Sequence, residues 1–520
     1  MNFLNQPDHH NSRPERMPPS AGPVRTGQRT RGEGPCRVRR LSACLLGAVF
    51  TACAPVGPDY RRPDTVMPER WQEARPPAAA RSEAVGADWW QAFGDPVLNR
   101  LIREAMLANL DLKQTYTRIR AAREQRIVAI ANGLPIVSNK ESVSRRLNNA
   151  GQSGAGGQPG GVGFGNNIDI FQLGFDVQWE VDLFGGIRRS IEAAEANMEA
   201  EVENSRAVLV TLLGDVARAY IEMRSDQRLL DVSQANLKLQ LETARLMRIR
   251  YQAGLSDSLA AVQAEALAAQ TQAQLPVYEA ARKQAQHQLE LLLGKPPGAL
   301  RALLDPEQPV PEAPDRILLE LPSELLRRRP DIRRAERQLA AATAQVGIAT
   351  ADLYPKFNIA AFLGFQNMKI TDVTALSKSW SAAGTLTTPL FNWGKIRANI
   401  DAKKAQQEQS FLAYQSAVLG ALKDVEDALV AYAQEKARRA ALEQAVASNR
   451  LALKLSKERY RSGLTSFLNV LDSERAVYSA ESDLVQSQAS VSADLVSLYK
   501  ALGGGWQAAP VEAETFAGGG

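Results

Sequence analysis

Arg250-Tyr251-Gln252-Ala253-Gly254-Leu255 returns 209 residues later as Arg459-Tyr460-Arg461-Ser462-Gly463-Leu464. The offset is not local, because it also pairs Ile187 with Ile396, Asp215 with Asp424, Leu259 with Leu468, Glu265 with Glu474 and Gly294 with Gly503. Upstream it becomes 220, pairing Asp111 with Asp331, Gln125 with Gln345, Ala129 with Ala349 and Pro135 with Pro355. The eleven residues lost between the two registers fall after Pro135, in an interval that holds a Gly-rich stretch. A period of about 210 residues is far longer than a solenoid unit, so the chain holds two copies of one multi-element module sharing a core.

Each copy carries strand patterns. From Ile168 the chain alternates, with Gln172, Asp176, Gln178 and Glu180 on one face and Phe171, Leu173, Phe175 and Trp179 on the other. In a membrane barrel the first face lines a wet lumen and the second meets lipid. Phe357 to Phe365 repeats the alternation, and Ile136 to Leu147 and Trp380 to Leu390 complete four candidate strands. Asn148 to Asn167, dominated by Gly, and Asn367 to Lys378 suit exposed turns between paired strands. Four strands cannot close a barrel, and an open edge in lipid leaves backbone groups unpaired at several kcal/mol each. The chain must oligomerise to close, and three copies supply twelve strands.

Each copy also carries long helices. Val202, Leu209, Val216, Met223, Leu230, Leu237 and Ala244 recur every seven residues in a proline-free run from Gly186 to Tyr251. Phe411, Val418, Val425, Tyr432, Arg439, Val446, Leu453 and Tyr460 repeat the stripe, broken only at Arg439. A sustained heptad implies left-handed coiled-coil packing, and about 65 residues make a helix of roughly 100 Å. Shorter helices are predicted at Asp257–Leu293 and Ser466–Leu502, and again before each first strand at Pro96–Asn132 and Ser323–Ala351. Stacked end to end, two short helices run beside one long helix, with a kink expected at Pro276.

The net charge of +5 comes from the first 52 residues, where eight Arg face Asp8, Glu15 and Glu33; afterwards basic and acidic residues number 54 each. A nucleic-acid footprint needs clustered basic residues, which a neutral chain does not offer. Cys36 and Cys44 precede Cys53, and only His287 follows it, so disulfides, a metal centre and Cys/His catalysis are not expected. Arg37, Arg39 and Arg40 lead into the apolar run Leu41 to Ala52, the charged-then-apolar order of a secretory signal. Residues 1–36, rich in Pro, Gly and Arg, lie upstream of such a signal and suggest a misassigned start.

Phe50-Thr51-Ala52-Cys53 resembles a bacterial lipoprotein signal, with Phe50 in place of the usual Leu. That resemblance implies an N-palmitoyl, S-diacylglycerol Cys53 at the new N-terminus, and Ala54 in place of an inner-membrane-retaining Asp implies outer-membrane sorting. Cys53-Ala54-Pro55 with Gly57-Pro58-Asp59-Tyr60, Asp182-Leu183-Phe184-Gly185 and Arg328-Arg329-Pro330-Asp331-Ile332 then occur in the order of the TolC-like outer-membrane efflux family, lipoprotein branch. Tyr-x-x-Gly at 251 and 460 and Leu-x-x-Leu-Asp at 468 to 472 extend the resemblance over nearly everything after Cys53.

The fold implied is an α+β membrane protein: a homotrimeric twelve-stranded outer-membrane barrel, four strands per chain, continuous with an α-helical coiled-coil periplasmic tunnel. The chain divides into an extension and signal (1–52), a lipidated segment (53–95), two repeats (96–305 and 306–505) and a tail (506–520). The function implied is a passive, non-enzymatic exit duct for small molecules in a tripartite efflux pump. It is driven by an inner-membrane transporter of the RND type through a periplasmic adaptor. Gly254, Leu255, Gly463 and Leu464 are implied as adaptor-contact tips, and Leu468, Asn469, Asp472 and Tyr460 as the periplasmic gate. Asp472 has no counterpart in the first copy, which offers Gln263. The alternatives are the duct of a type I protein secretion system and a structural coiled-coil surface lipoprotein. Arg328, Arg329 and Asp331 read as helix-start chemistry, and Trp71, Trp89 and Trp90 as packing of the N-terminal segment.

Overall fold

The structure is a computed structural model and describes residues 55–73, 87–148, 166–314, 322–367 and 377–508. The chain divides into Met1–Ala52 and Cys53–Gly520, and all described residues lie in the second unit. Cys53, Ala54 and most of the two turns between paired strands lie outside the described residues.

The first repeat runs α1 (Pro96–Ala108), α2 (Leu110–Ala131), β1 (Ile136–Asn148), β2 (Asn166–Val181), α3 (Gly186–Gln252) and α4 (Ser258–Leu292). The second runs α5 (Pro330–Ala351), β3 (Lys356–Asn367), β4 (Ser377–Thr387), α6 (Lys395–Arg461) and α7 (Phe467–Ala501). The offsets read from the sequence recur in these bounds: α3 and α6 are both 67 residues and lie 209 apart, as do α4 and α7 at 35 residues each. The 22-residue helices α2 and α5 lie 220 apart. The heptad stripe of α3 is buried at Leu209, Val216, Met223 and Ala244, and that of α6 at Val418, Val425, Tyr432 and Val446.

Two expected helices are broken. Pro96–Asn132 is interrupted at Asn109, whose backbone leaves the helical region (φ −56°, ψ 132°) while its side chain caps α2 by accepting from the Leu112 amide. Ser323–Ala351 is interrupted at Arg329, extended at φ −70°, ψ 117° before Pro330; proline disfavours the helical conformation in the residue before it. Helix α4 runs on through Pro276 without a break. Strand β4 spans Ser377–Thr387 where Trp380–Leu390 was expected.

The four strands form one antiparallel sheet in the order β1-β2-β3-β4. Each continues into one helix: α2 enters β1, β2 leads to α3, α5 enters β3 and β4 leads to α6. The helices keep the order of the strands, because α2 packs on α3, α3 on α5 and α5 on α6. Lower down α4 packs on α3, α3 on α7 and α7 on α6. The body is thus a wall four helices wide, with α4 continuing below α2 and α7 below α5. The main core sits at that joint, where Trp89, Leu98, Leu213, Tyr220, Val425 and Leu495 belong to one cluster. Trp89 stacks on Tyr499 at 5.2 Å and 27°, and Trp71 is buried in the same core.

The N-terminal segment lies along this wall. Arg189 on α3 is almost fully buried and donates to the carbonyls of Val56 and Gly57 and to Asp59. Gly57, at φ 90°, approaches the Gly347 backbone so closely that a Cβ there would lie 2.5 Å from its Cα. Only glycine fits both the conformation and the contact.

Candidate functional site: the hairpin tips

The turns that join α3 to α4 and α6 to α7 are built alike. Gly254 (φ 69°) and Gly463 (φ 71°) take the left-handed conformation. The Leu255 amide donates to the Arg250 carbonyl at 2.8 Å, and the Leu464 amide to the Arg459 carbonyl at 2.9 Å. These six-to-one bonds close Schellman caps, so each glycine does terminate its helix. The leucines are a separate matter: Leu255 and Leu464 are both 69% exposed and fill no core. Exposed apolar side chains therefore stand at two equivalent points, one on each turn.

Behind the turns the two hairpins hold each other. Met247 on α3, Ala261, Ala264 and Leu267 on α4, and Phe467 and Leu471 on α7 form an apolar cluster. Tyr460 on α6 packs on it, its ring 5.4 Å from that of Phe467 and its hydroxyl 3.5 Å from the Met247 sulfur. The Arg250 guanidinium lies 5.3 Å from the centre of the Tyr460 ring, within cation–π range. Tyr460 therefore ties the second hairpin to the first, while its repeat equivalent Tyr251 is exposed. The cause is position 467, where the first repeat has Ser258 and offers no ring.

Leu468 and Asp472 lie one turn apart on the exposed face of α7, opposite Val470 and Leu471, which are buried. Asp472 makes one long ion pair, 3.8 Å to Arg475. The Asn469 side-chain amide donates to the Thr465 hydroxyl, and the Asn469 backbone carbonyl accepts from the Ser473 hydroxyl at 2.7 Å. The structure thus brings Leu468, Asn469 and Asp472 onto the start of one helix and sets Tyr460 apart, in the seam between hairpins. Arg250, Met247 and Phe467 belong to that seam and were missed from the sequence. The signal was present in the mismatch between repeats at Ser258 and Phe467.

The hairpins are braced by a duplicated ion pair. Arg248 on α3 donates to Glu265 on α4 at 2.6 Å, and 209 residues on Lys457 on α6 sits 2.9 Å from Glu474 on α7. At the other end, the polar face of the sheet carries Gln172, Asp176 and Gln178, with Lys140 4.0 Å from Asp176. Phe362 interrupts that face, buried across Gly174 and Gly364, which pair so closely that neither admits a Cβ.

Among the described residues no group of three or more His, Cys, Asp or Glu side chains is placed to hold a metal. No described helix is long and apolar enough to cross a membrane. The described residues thus form an open four-stranded sheet, more apolar on one face than on the other, continued by a wall of long helices that ends in two alike turns.

The model of the outer membrane efflux protein family matches residues 101–295 and 321–504. The chain belongs to that family: it is an outer-membrane protein and the channel component of an efflux pump. It is 32% identical to nodulation protein T of Rhizobium leguminosarum over 92% of this chain and 97% of that one. It is 33% identical to the pyoverdine export outer membrane protein OpmQ of Pseudomonas putida, over 89% and 97% of the two chains. The solved outer-membrane channel OprN matches with a TM-score of 0.81 at 34% identity, covering 87% of this chain and all of that one.

Proposed function

We propose that three copies close side by side into a twelve-stranded barrel and a periplasmic helical tunnel, forming a passive exit duct for small molecules. The observation that carries this reading is the pair of open edges. The sheet ends at β1 and β4, and the helical wall ends on the same two sides, at α2 with α4 and at α6. Helix α6 buries nine residues where its equivalent α3 buries 25. A wall with two different open edges closes by head-to-tail association, which makes a ring when the rotation closes.

In this assembly the Gly254-Leu255 and Gly463-Leu464 tips alternate around the inner end and dock a periplasmic adaptor. An inner-membrane transporter of the RND type supplies the energy. Leu468 and Asp472 face the axis as an apolar ring and an acidic ring, with Asn469 beside them and Tyr460 holding the hairpins together. Such rings close a pore by excluding water and setting charge selectivity. Cys53, lipidated in the outer membrane, lies two residues before Pro55, which packs against Gly185 where β2 passes into α3. The Arg189 clasp on Val56 and Gly57 thereby ties the segment that follows the anchor to the end of the sheet.

Reconstitution into planar bilayers tests the reading. Discrete channels from a particle of three chains support it, and a monomer without conductance overturns it. Deletion followed by susceptibility profiling separates small-molecule efflux from protein secretion, since the latter leaves drug sensitivity unchanged.

A further inference from the structure

The pairing register within the sheet is duplicated. Ile136 faces Gln178 in the first hairpin, and Lys356 faces Thr387 in the second; the partners differ by 220 and 209, the same offsets that relate the helices. The central pairing of β2 with β3 sets Val181 opposite Phe357. Its counterpart in a closed ring joins β4 of one copy to β1 of the next, and the offsets carry Val181 to Leu390 and Phe357 to Val137. We propose that β4 pairs with β1 of the next copy in the register that sets Leu390 opposite Val137. In that register Leu390, Phe391 and Trp393 seat against the Leu134–Ile136 turn of that copy. This rests on the side-by-side ring proposed above and specifies its contact residue by residue.

Four observations support the register. Trp380 shares a sheet face with Leu363, and Val137 and Val143 share that face through Val177 and Phe171. The proposed register keeps these residues on one face, whereas a slip of one residue puts them on opposite faces.

Phe184, after β2, stacks on Tyr354, before β3, at 4.7 Å and 22°. The same offsets carry this pair to Trp393 and Leu134, which are 89% and 58% exposed within one chain. A contact made inside the chain at one seam is missing both of its members' partners at the other.

Trp393 is the one described non-glycine residue with positive φ, at 53°, whereas Gly394 after it repeats the φ of Gly185 at 81°. A bulky residue in the left-handed region is strained, and such strain persists where something outside the local backbone requires it. The turn presents Trp393 outward beside Phe391, with ring centres 4.6 Å apart, past the edge of β4.

The helices agree. Val210 and Ile221 are buried on α3, while their equivalents Leu419 and Val430 on α6 are exposed. Where the Arg189 side chain covers Gly347, the offsets give Ala398 and Ile127, both exposed, so the large and small partners are exchanged across the seam.

Disulfide trapping in the full-length protein tests the register. Leu390→Cys is combined in turn with Val137→Cys, Pro135→Cys and Asn139→Cys, with single-substitution variants, which retain Cys53, as background. Native mass measurement of each unoxidised variant establishes whether three copies assemble. The expected result is covalent dimers and trimers from the Leu390/Val137 pair alone. Cross-linking only in a shifted pair overturns the register while leaving the ring intact. A three-copy particle that cross-links in none of the pairs also overturns it, and leaves the aromatic wedge facing lipid. Monomers throughout sink the ring itself.

Discussion

The Asn109 side-chain amide donates to the Leu292 carbonyl at 2.8 Å, joining the start of α2 to the last residue of α4. Arg329, 220 residues after Asn109, donates to the Ala501 carbonyl at 3.0 Å, and Ala501 ends α7, 209 residues after Leu292. The joint between stacked helices is thus written twice, with different side chains doing one job: closing an orphan carbonyl at a helix end. Asn109 also caps α2, so Asn109→Ala removes both bonds from a buried site and is expected to cost about 2 kcal/mol. Arg329 is also bonded to Asp331 and Asp424, of which Asp424 is half exposed. Because water screens that carboxylate, Arg329→Met is expected to cost about 2–3 kcal/mol, below the full figure for a buried pair. Urea unfolding of the detergent-solubilised protein measures both.

The tip turn separates two roles that coincide in sequence. Nothing lies within 4 Å of the position a Cβ would take at Gly463. Gly463→Ala therefore meets only backbone strain, about 1 kcal/mol, and dye efflux survives. Leu464→Glu leaves the cap intact and unfolding within about 0.5 kcal/mol of the parent, because the side chain is exposed. Efflux of a fluorescent dye from complemented cells is nevertheless expected to fail. Retained efflux in Leu464→Glu would remove the tip leucine from the docking surface.

How much was legible follows from the kind of signal each feature leaves. The repeat offsets, read from scattered identities such as Asp215 with Asp424, locate every helix of the second half from the first. They do so because a duplicated fold preserves register where it cannot preserve side chains. The break at Asn109 was not anticipated, since no proline marks it and its side chain turns to meet the abutting end of α4; the break at Arg329 was signalled by Pro330, although the helix was expected to run unbroken from Ser323. Strand β4 stops at Thr387, short of Leu390, because Thr387 pairs with Lys356, the first residue of β3, and the ladder within the chain runs out there. Leu468 and Asp472 were found as a spaced pair on one helix. The partners of Tyr460 were not, because Met247 and Phe467 reach it from two other helices, and no spacing along the chain encodes that meeting.

Asp226 on α3 makes stability depend on pH. Burial, reinforced by the neighbouring Glu222 carboxylate, pushes its carboxyl up from 3.8 to about 6. It lines a groove with Tyr278, Gln284 and Gln288 of α4 and Gln486 and Ser490 of α7, none of which is cationic. The folded protein therefore holds a proton that the unfolded chain has released between these two pH values. Stability falls as pH rises through that window and levels off above it. Asp226→Asn removes the ionised form, so its melting temperature is expected to exceed that of the parent at about pH 8 and to converge with it below about pH 4. A constant difference across that range would show that Asp226 is not the titrating group.

Leu468 and Asp472 supply the test of the gate. Both side chains stand clear of the cluster that holds α7 to α3 and α4, so removing them leaves Phe467, Val470 and Leu471 in place. The double substitution Leu468→Ala with Asp472→Ala is expected to leave thermal unfolding unchanged while raising single-channel conductance in planar bilayers. The same truncation at Leu259, the first-repeat equivalent, is expected to leave conductance where it was, since Gln263 replaces the acid there and no ring of charge forms. Tyr460→Ala acts by another route: it breaks the seam to Met247, Phe467 and Arg250, so conductance and hairpin stability should change together. Equal conductance of the double variant and the parent would mean that the narrowest point of the duct lies elsewhere on the hairpins.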